Sequence, residues 1–448
     1  MPEIPEISAG DTAWVLVATA LVLLMTPGLA FFYGGMVRMK SVLNMMMMSF
    51  GAMGLVAILW VLYGYSMAFG NDVGYGLLGS PTEFFGLAGI TADSISGAIP
   101  TFVFVMFQAM FAIITVALIS GAIADRTKFG AWMVFAGIWA TIVYFPVAHW
   151  VFAFDSDGVT GGWIANNLGA IDFAGGTAVH INAGAAGLAL ALVLGKRIGF
   201  GKTPFRPHNL PFVMLGAGLL WFGWFGFNAG SALAANGTAA VAFLNTVVAT
   251  AASMLAWLRG EKIRDGHATS VGAASGVVAG LGAITPACAA VNIVGAIAVG
   301  VAAGVLCAMA VGLKYKLGYD DSLDVVGVHL VGGIVGTLLI GFFATDAYIA
   351  DSKLGLFYGG GAELLGKQAI AAGAVLAFSF VVTAIIAFGI EKTMGFRISS
   401  EDEQAGVDVR THAETAYEFN DAAYGGSFTK GSGSSVNVTA PEKEGAPA

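Results

Sequence analysis

The chain has 448 residues, of which 57% are hydrophobic and 11% are charged, and its formal net charge is −8. A soluble domain carries about 25% charged residues, so this chain has too few charges to cover a water-facing surface of its size. Its hydrophobicity excludes a disordered chain, and its acidic balance without a basic block excludes a nucleic-acid-binding protein. The composition therefore predicts an integral membrane protein that crosses the bilayer several times.

Eleven apolar segments approach the length of about 20 residues that a transmembrane helix needs. In chain order they are Thr12–Tyr33, Leu43–Phe69, Ala98–Ala122, Gly130–Ala153, Ala174–Gly195, Pro211–Ala235, Ala239–Leu258, Ser270–Thr285, Val291–Leu313, Val326–Ala344 and Gln368–Ile390. The eighth is short and rich in glycine. These segments predict an all-α integral membrane domain of eleven transmembrane helices over residues 12–390, after an extracellular N-terminus at residues 1–11.

Lysine and arginine residues fall in alternate loops and so predict the orientation. The loops after the first, third, fifth, seventh and ninth segments contain Arg38, Lys40, Arg126, Lys128, Lys196, Arg197, Lys202, Arg206, Arg259, Lys262, Arg264, Lys314 and Lys316. The opposite loops contain only Lys353 and Lys367. By the positive-inside rule the N-terminus is outside and the C-terminal tail is cytoplasmic. Since no basic region precedes the first apolar segment, we expect no cleavable signal peptide.

Two histidines lie inside predicted membrane segments, His180 in the fifth and His329 in the tenth. Ionisable groups are costly there, so each is a functional-site hypothesis. Segments five and ten are five apart and run in opposite directions, as two inverted five-helix repeats followed by a final helix would place them. We interpret the pair as lining a pore, uncharged and sharing a hydrogen bond. The alternative is that each histidine only makes an interhelical hydrogen bond.

Other polar and aromatic groups near the predicted membrane segments allow two readings each. Asp172 at the outer start of the fifth segment suits a helix cap, or a buried anion that favours a nearby cation. The aromatic residues of Phe107–Phe111 and Trp221–Phe227 suit lipid or core packing, or cation–π attraction at an outer mouth. Cys288 and Cys307 show neither disulfide nor metal spacing, and no third ligand accompanies the histidines. We therefore predict no metal site.

Six segments resemble motifs of the ammonium transporter (Amt) family, which is related to Rhesus glycoproteins. They are Asp172-Phe-Ala-Gly-Gly-Thr-Ala-Val-His180-Ile-Asn, Pro27-Gly-Leu-Ala-Phe-Phe-Tyr-Gly-Gly, Gly223-Trp-Phe-Gly-Phe-Asn-Ala-Gly-Ser231, Gly327-Val-His329, His208-Asn-Leu-Pro and Thr285-Pro-Ala-Cys288. The resemblance runs from about residue 10 to Tyr417. It implies a homotrimer in the plasma membrane with one pore per subunit, no cofactor and no enzymatic activity. The implied substrate is ammonium or ammonia, with methylammonium as a further candidate.

The resemblance also implies residue roles. His180 and His329 would be the twin pore histidines, and Phe111 and Phe227 a phenylalanine gate above them. The outer ammonium site would include Ser231 as a hydrogen-bond donor, Phe111, Phe152 and Asp172, which would stabilise the site or its fold. The family often has tryptophan where Phe152 stands, so Trp150 and Trp163 are alternative aromatic groups for that mouth. The weaker π face of phenylalanine predicts weaker cation binding.

The resemblance further implies that residues 391–420 form a cytoplasmic regulatory segment, in which Gly406, Asp408, His412 and Tyr417 match the family. Family members use this segment to couple subunits and to receive a PII-type signalling protein; the alternative is a merely solvated tail. Residues 421–448 are rich in Gly, Ser and Pro and are predicted to be disordered.

The expected mechanism recruits ammonium, deprotonates it and conducts ammonia through a hydrophobic pore, with or without separate proton transfer. One alternative is an ammonium sensor. Sensors of the family typically carry an added signalling domain, whereas about 58 residues follow Ile390 here. Another alternative is a Rhesus-like channel for neutral ammonia. A membrane enzyme is disfavoured because no activated nucleophile or metal set lies in the predicted membrane segments.

Overall fold

The computed structural model describes residues 6–156, 158–350 and 352–417. Within these ranges, ten helices are long and apolar enough to cross a membrane, and one further apolar helix, α8, is shorter. They are α1 (Ala9–Met36), α2 (Met39–Phe69), α3 (Thr101–Ile123), α4 (Phe129–Phe152), α5 (Gly176–Leu194), α6 (Leu210–Gly230), α7 (Gly237–Asp265), α8 (Ser270–Ile284), α9 (Ile293–Leu317), α10 (Val326–Phe343) and α11 (Glu363–Thr393). The chain is thus a helical, multi-pass membrane protein.

Short elements complete the described fold. Two strands, β1 (Ile95–Ser96) and β2 (Ile99–Pro100), form an antiparallel hairpin between α2 and α3. Two short helices follow α11, namely α12 (Ser400–Ala405) and α13 (Val407–His412). The expected disordered tail at 421–448 lies outside the described residues.

Several helices begin or end at other residues than the apolar segments, because helical hydrogen bonding continues into charged residues. α7 continues into charged turns as far as Asp265, and α11 already begins at Glu363. The prediction that the sixth segment runs to Ala235 is wrong, because α6 ends at Gly230. Beyond it Leu233 adopts a left-handed conformation with φ of 53°, which a helix cannot contain.

Polar side chains cap several of these helices. An Asn, Ser or Thr at the N-cap accepts a backbone N–H that the first turn leaves without an intrahelical partner. The capping residues of this kind are Ser8, Asn209, Asn236, Thr269, Asn292 and Ser399. These caps pair N–H groups that the first turns would otherwise leave without a partner.

The outer surface of the bundle exposes large apolar side chains, as a lipid-facing surface does. Val294 is 69% exposed, Met309 66% and Ile385 66%, all on apolar helices. The polar side chains Thr246, Ser253 and Gln368 are by contrast fully buried. This is the reverse of the usual soluble distribution and places the polar groups inside the bundle.

The loops gather at two opposite ends of the bundle. At one end Asp125, after α3, contacts Arg38, after α1, at 3.5 Å and Arg197, after α5, at 3.1 Å. Arg126 donates to the carbonyl of Asp320, after α9, at 2.6 Å. At the other end the backbone N–H of Ser8 donates to Ala98, before α3. The N-terminus and the basic loops therefore lie at opposite ends.

Glycines let the helices approach closely, and Gly336 on α10 is the clearest case. A Cβ atom added there would lie 1.9 Å from the carbonyl oxygen of Ala283 on α8. Because that atom belongs to the backbone, no side-chain rotation relieves the clash. Small residues at such crossings are typical of packed membrane helices.

We expect Gly336→Ala to destabilise the protein by about 1–3 kcal/mol or more, because the α8–α10 crossing has to widen. The matched control is Gly373→Ala on α11, where an added Cβ meets no atom within 4 Å. Thermal melting of both variants in detergent checks this expectation. Equal melting temperatures for the two variants would show that the crossing is not close-packed.

Candidate functional site

The two membrane histidines meet in the interior. The Nδ1 atoms of His180 and His329 lie 3.2 Å apart, and the ring planes differ by 10°. Both side chains are buried. The distance and the burial fit a shared hydrogen bond, in which one Nδ1 carries the hydrogen and the other accepts it. His180 Nε2 is buried without a hydrogen-bond partner among the described residues.

Both histidines lie in wide π-type turns, Gly176–Ile181 at the start of α5 and Val326–Leu330 at the start of α10. Such turns are rare and are frequent at functional sites. Apolar patterning carries no sign of them, so the sequence did not predict them. The same unusual turn at the same place in both helices supports the proposed repeat.

An aspartate caps each of these two helices. The Asp172 carboxylate accepts the backbone N–H groups of Gly175, Gly176, Thr177 and Ala178 and the Thr177 hydroxyl. The Asp321 carboxylate accepts those of Val325 at 3.1 Å and Val326 at 2.7 Å. Each aspartate stands eight residues before its histidine. Asp321 was not predicted, although this equal spacing was a readable signal.

Because Asp172 caps a helix, we expect its replacement to destabilise the protein. An asparagine offers one acceptor oxygen, and its NH2 group faces donors, so Asp172→Asn leaves backbone N–H groups unpaired. We expect a loss of about 1–3 kcal/mol for each N–H without an acceptor. Asp346→Asn is the control, because that side chain is exposed and makes no hydrogen bond in the structure. If Asp172→Asn melts in detergent at the same temperature as the control, the cap is unimportant.

Two phenylalanine rings lie beside the histidine pair. The ring centroids of Phe111 and Phe227 are 4.2 Å apart with planes inclined at 31°, and both rings are buried. Phe227 lies 6.3 Å from the His180 ring. The two rings close the space between the histidines and a cavity at the end of the bundle that carries the N-terminus.

Trp224 stacks on the His180 ring and was not predicted as a site residue. Its ring stacks on His180 at 5.4 Å with planes 12° apart. Its Nε1–H donates to Thr285 Oγ1 at 2.8 Å, and that hydroxyl contacts Asn228 Oδ1 at 3.2 Å. Trp224 and Thr285 stood in the family-like motifs, but nothing in their spacing showed this contact.

The cavity outside the phenylalanine pair has a volume of about 770 Å³. Its aromatic lining residues are Tyr65, Phe69, Phe104, Phe111, Phe152, Phe154 and Phe173. Its polar side chains come from Ser96, Gln108, Ser156 and Ser231. We call this cavity the outer vestibule. Phe111, Phe152 and Ser231 thus meet there as expected, whereas Asp172 does not line it and uses its carboxylate as a cap.

Trp150 and Trp163, the alternative aromatic groups for the mouth, are not among the residues that line the outer vestibule. The Trp150 indole donates to the Leu77 carbonyl at 2.8 Å and packs 4.7 Å from Phe378. The Trp163 ring lies against Trp150 at 5.9 Å. Both tryptophans anchor loops, and Phe152, at 6.3 Å from Phe111, remains the aromatic group of that position.

The Ser231 hydroxyl is an acceptor toward the vestibule rather than the expected donor. Its hydrogen is used, because Oγ donates to the Phe227 carbonyl at 2.7 Å. The remaining lone pairs are the groups that a cation with N–H bonds requires. With its hydrogen used in this way, the hydroxyl differs from the donor that the resemblance implied, and its lone pairs suit a positively charged ligand.

The tail residues contact the loops at the basic end. The Asp408 carboxylate accepts the N–H groups of Leu43 and Asn44 at 3.0 and 2.8 Å. His412 contacts the Asn44 side chain at 3.1 Å, and the Tyr417 hydroxyl lies 2.9 Å from His208. Burial raises the pKa of Asp408, although the two N–H donors act in the opposite direction. The segment is therefore packed onto the protein, not merely solvated.

Gly406 joins α12 to α13 with φ of 127°, a conformation that side chains rarely adopt. A Cβ there would also lie 2.9 Å from the Lys40 side chain. This glycine lets the tail turn against the loop after α1. Among the described residues, no group of three His, Cys, Asp or Glu side chains has a metal-binding arrangement.

Three comparisons with known proteins agree on the family of this chain. The model of the Ammonium Transporter Family matches residues 13–417. An ammonium transporter of Mycobacterium tuberculosis is 63% identical over 432 residues, covering 92% of this chain and 90% of that protein. The crystal structure of Saccharomyces cerevisiae Mep2 superposes with a TM-score of 0.82 at 35% identity, covering 93% of each chain. A structure titled Sensor Amt Protein has the same TM-score, 0.82, at 29% identity over 90% of this chain and 98% of its own. The chain belongs to the ammonium transporter family.

Proposed function

We propose that the chain transports ammonium, recruiting it in the outer vestibule and conducting ammonia past the His180–His329 pair. Family membership supports transport of ammonium as such. One observation carries the finer mechanism, namely the succession of an aromatic vestibule, a stacked phenylalanine pair and a hydrogen-bonded histidine pair. Phe111 lines the vestibule and lies 4.2 Å from Phe227, and the Phe227 ring lies 6.3 Å from the His180 ring.

Selection against potassium is the physical problem that this succession addresses. An apolar passage denies a bare ion its hydration at a cost of several kcal/mol or more. Ammonium differs from potassium because it can release a proton and cross as ammonia. In the proposal, ammonium passes the Phe111–Phe227 pair and loses its proton before or at the histidines. In this proposal the proton follows by a separate histidine or water route, so that net transport carries charge. A proton that stayed outside would make net transport neutral, as in the Rhesus-like alternative.

We propose the membrane arrangement from the loop chemistry and the helix caps. The protein lies in the plasma membrane, with its basic loops in the cytoplasm and its N-terminus outside. The short helix α8 also crosses the membrane, which brings the number of crossings from ten to eleven. α1–α5 and α6–α10 are inverted repeats, followed by α11. The matched Asp172–His180 and Asp321–His329 segments support this division. Residues 12–390 form the transport domain, and three such chains form a homotrimer.

We propose that residues 391–420 regulate transport from the cytoplasmic side and receive a PII-type protein there. Their described part ties together several inner segments, which supports this role. Glu403 pairs with Arg397 at 2.8 Å and accepts the backbone N–H of Ile198 at 2.7 Å, so the tail touches the loop after α5. A partner that moved the tail would therefore act on the loops directly.

Electrical current after an ammonium pulse tests the proposed function in proteoliposomes on a solid-supported membrane. We expect a transient current with ammonium, a smaller one with methylammonium and none with potassium. Uptake of ammonium without current would instead favour the Rhesus-like neutral channel. A potassium current equal to that of ammonium would contradict the mechanism.

The same proteoliposomes also test whether the protein is an ammonium sensor. The structure titled Sensor Amt Protein shares the fold of this chain, so the fold alone does not separate sensing from transport. A sensor binds ammonium with little turnover, whereas a transporter continues to move it. Sustained methylammonium uptake in proteoliposomes supports transport, and saturable binding without uptake supports sensing.

A further inference from the structure

Thr285 is a buried residue at the end of α8 to which the proposed mechanism gives no role. It follows Ile284 directly, and its side chain is 0% exposed. Its Oγ1 atom lies 2.8 Å from the Trp224 indole nitrogen, 2.8 Å from the Leu281 carbonyl and 3.2 Å from Asn228 Oδ1. The two oxygens can only accept, so the single hydrogen of the hydroxyl goes to them. A lone pair of Oγ1 is thereby left to accept the indole N–H.

This hydrogen bond fixes the Trp224 ring. The indole N–H is the only polar group of that side chain, and it can only donate. Trp224 is 1% exposed, so the Thr285 hydroxyl rather than bulk water has to accept that hydrogen. The Trp224 ring is parallel to the His180 ring to within 12°. The His180 ring therefore stacks on a ring that a single hydroxyl orients.

Two contacts orient the His180 ring itself. Its Nδ1 atom lies 3.2 Å from His329 Nδ1, and one hydrogen bond does not fix the tilt of a ring about it. Stacking on Trp224 supplies the second contact. Toward α8 the nearest residue is Gly282, where an added Cβ would lie 3.7 Å from the imidazole, so no side chain supports the ring there. Since His180 Nε2 has no hydrogen-bond partner among the described residues, its direction depends on Trp224.

We propose that Thr285 is a positioning residue for transport: its hydroxyl orients the Trp224 ring, which keeps His180 Nε2 directed into the passage. Hydrogen bonding depends on angle as well as on distance, and so does proton transfer along such a bond. A tilted imidazole therefore receives the proton or the ammonia less readily, although ammonium still binds outside the phenylalanine pair. This inference rests on the proposed passage of ammonia beside His180 and His329.

The test replaces Thr285 by valine, which keeps the volume and removes the hydroxyl, and by serine, which keeps the hydroxyl and removes the methyl group. In Thr285→Val we expect the maximal ammonium-pulse current to fall about tenfold, because misplacement of a reacting group by about 1 Å costs up to about 100-fold. The KM for ammonium should stay within about twofold, because the vestibule is unchanged. Thr285→Ser should keep the maximal current within about twofold, because its hydroxyl still accepts the indole N–H.

Thr250→Val is the matched control. Thr250 on α7 is equally buried, and its hydroxyl has no hydrogen-bond partner among the described residues. The same substitution there removes no hydrogen bond, so we expect the maximal current and the KM of the wild type. Thermal melting in detergent shows whether each variant folds. A loss of current that followed the melting temperature rather than the hydroxyl would indicate a merely structural side chain and overturn the proposal.

Trp224→Phe breaks the same hydrogen bond from the donor side, and it replaces Thr285→Val as the test if that variant does not fold. It keeps an aromatic ring beside His180, and we expect its maximal current to fall by about tenfold or more at an unchanged KM. Adding Thr285→Val to it should cost less than about a further twofold, because no N–H is left to accept. A further tenfold loss in the double variant would show that Thr285 does not act through Trp224.

Three results would overturn the role of Thr285. They are a wild-type maximal current in folded Thr285→Val, an equal loss in Thr285→Val and Thr285→Ser, and a loss that appears in the KM alone. A wild-type protein with no ammonium current would instead contradict the proposed function itself. A wild-type current together with an unchanged Thr285→Val variant would contradict only the inference.

Discussion

Replacement of both His180 and His329 by leucine is expected to lower the ammonium current by at least about 100-fold, the lower end of what a positioned proton-transfer group contributes. The double variant removes the only polar atoms of the hydrogen-bonded pair at the centre of the passage. Leucine fills similar space but neither accepts the ammonium proton nor binds ammonia. The current on a solid-supported membrane measures the effect.

The double variant is preferable to either single one. A single substitution leaves the other imidazole buried without its partner, and that unpaired group destabilises the protein. A lower current would then reflect lost stability as well as lost transport. His267→Leu is the control, because His267 is exposed in the loop after α7. Thermal melting in detergent shows whether the double variant folds. Unchanged currents in a folded double variant would refute the role of the histidines.

The second large effect is expected for a buried ion-pair network, at the end of the bundle where the basic loops lie. The Arg197 guanidinium makes two hydrogen bonds to the Asp320 carboxylate, at 2.9 and 2.8 Å, and one to Asp125 at 3.1 Å. Its plane lies 4.1 Å from the Phe205 ring centroid. The side chains of Arg197 and Asp320 are at most 3% exposed. These contacts connect the loops after α3, α5 and α9.

Arg197→Met is expected to lower the free energy of unfolding by up to about 3–5 kcal/mol, because two buried carboxylates lose their nearest counter-charge. Arg38 at 3.5 Å from Asp125 and Arg126 at 3.9 Å from Asp320 remain as longer contacts. Arg264→Gln is the matched control. Arg264 is 57% exposed and pairs only with the neighbouring surface carboxylate of Asp265 and the Ala308 carbonyl. Detergent melting should show a large shift for the first variant and none for the second. Equal shifts would mean that burial of the network is unimportant.

The pH dependence gives an independent check on the same network. Burial alone would raise the pKa of Asp320, but the hydrogen bonds and charge of Arg197 outweigh it and lower that pKa below its ordinary value. The pair therefore stabilises the fold above the ordinary pKa of about 3.9, and this contribution is lost as the pH falls through the lower folded-state value. The difference between wild type and Arg197→Met should shrink in that range.

Hydropathy and charge predicted much of the fold, because apolar segments lie in lipid and charged loops lie in water. Apolar length located the spanning helices, and the alternation of basic loops matched their gathering at one end. The histidines could be found because ionisable groups are rare in lipid. Asp321 was missed because a capping carboxylate at a loop resembles any other loop charge, and its sign in the sequence was only the spacing of eight residues to His329 that Asp172 also has to His180.

Side-chain direction was the part that the sequence could not supply. Trp150 is two residues before Phe152, so on a helix the two rings point to different faces, and only Phe152 reaches the vestibule. The Ser231 hydroxyl, which the resemblance implied as a donor to the ligand, donates instead to the carbonyl four residues earlier. Both outcomes depend on local geometry that residue types alone do not determine.

The contact between the two Nδ1 atoms has a consequence for the symmetry of the centre. Two matched segments, each with a capping aspartate and a wide turn, deliver the rings to the same place. Yet a single hydrogen lies between them, so one ring has to be the Nδ1–H tautomer and the other the Nε2–H tautomer. The two helix segments are matched, but the shared hydrogen belongs to only one of the two rings. The placement of one proton therefore gives the pair a direction. To reverse that direction with both rings neutral, the shared proton has to pass between the Nδ1 atoms while one Nε2 gains a proton and the other Nε2 loses one, and no helix has to move.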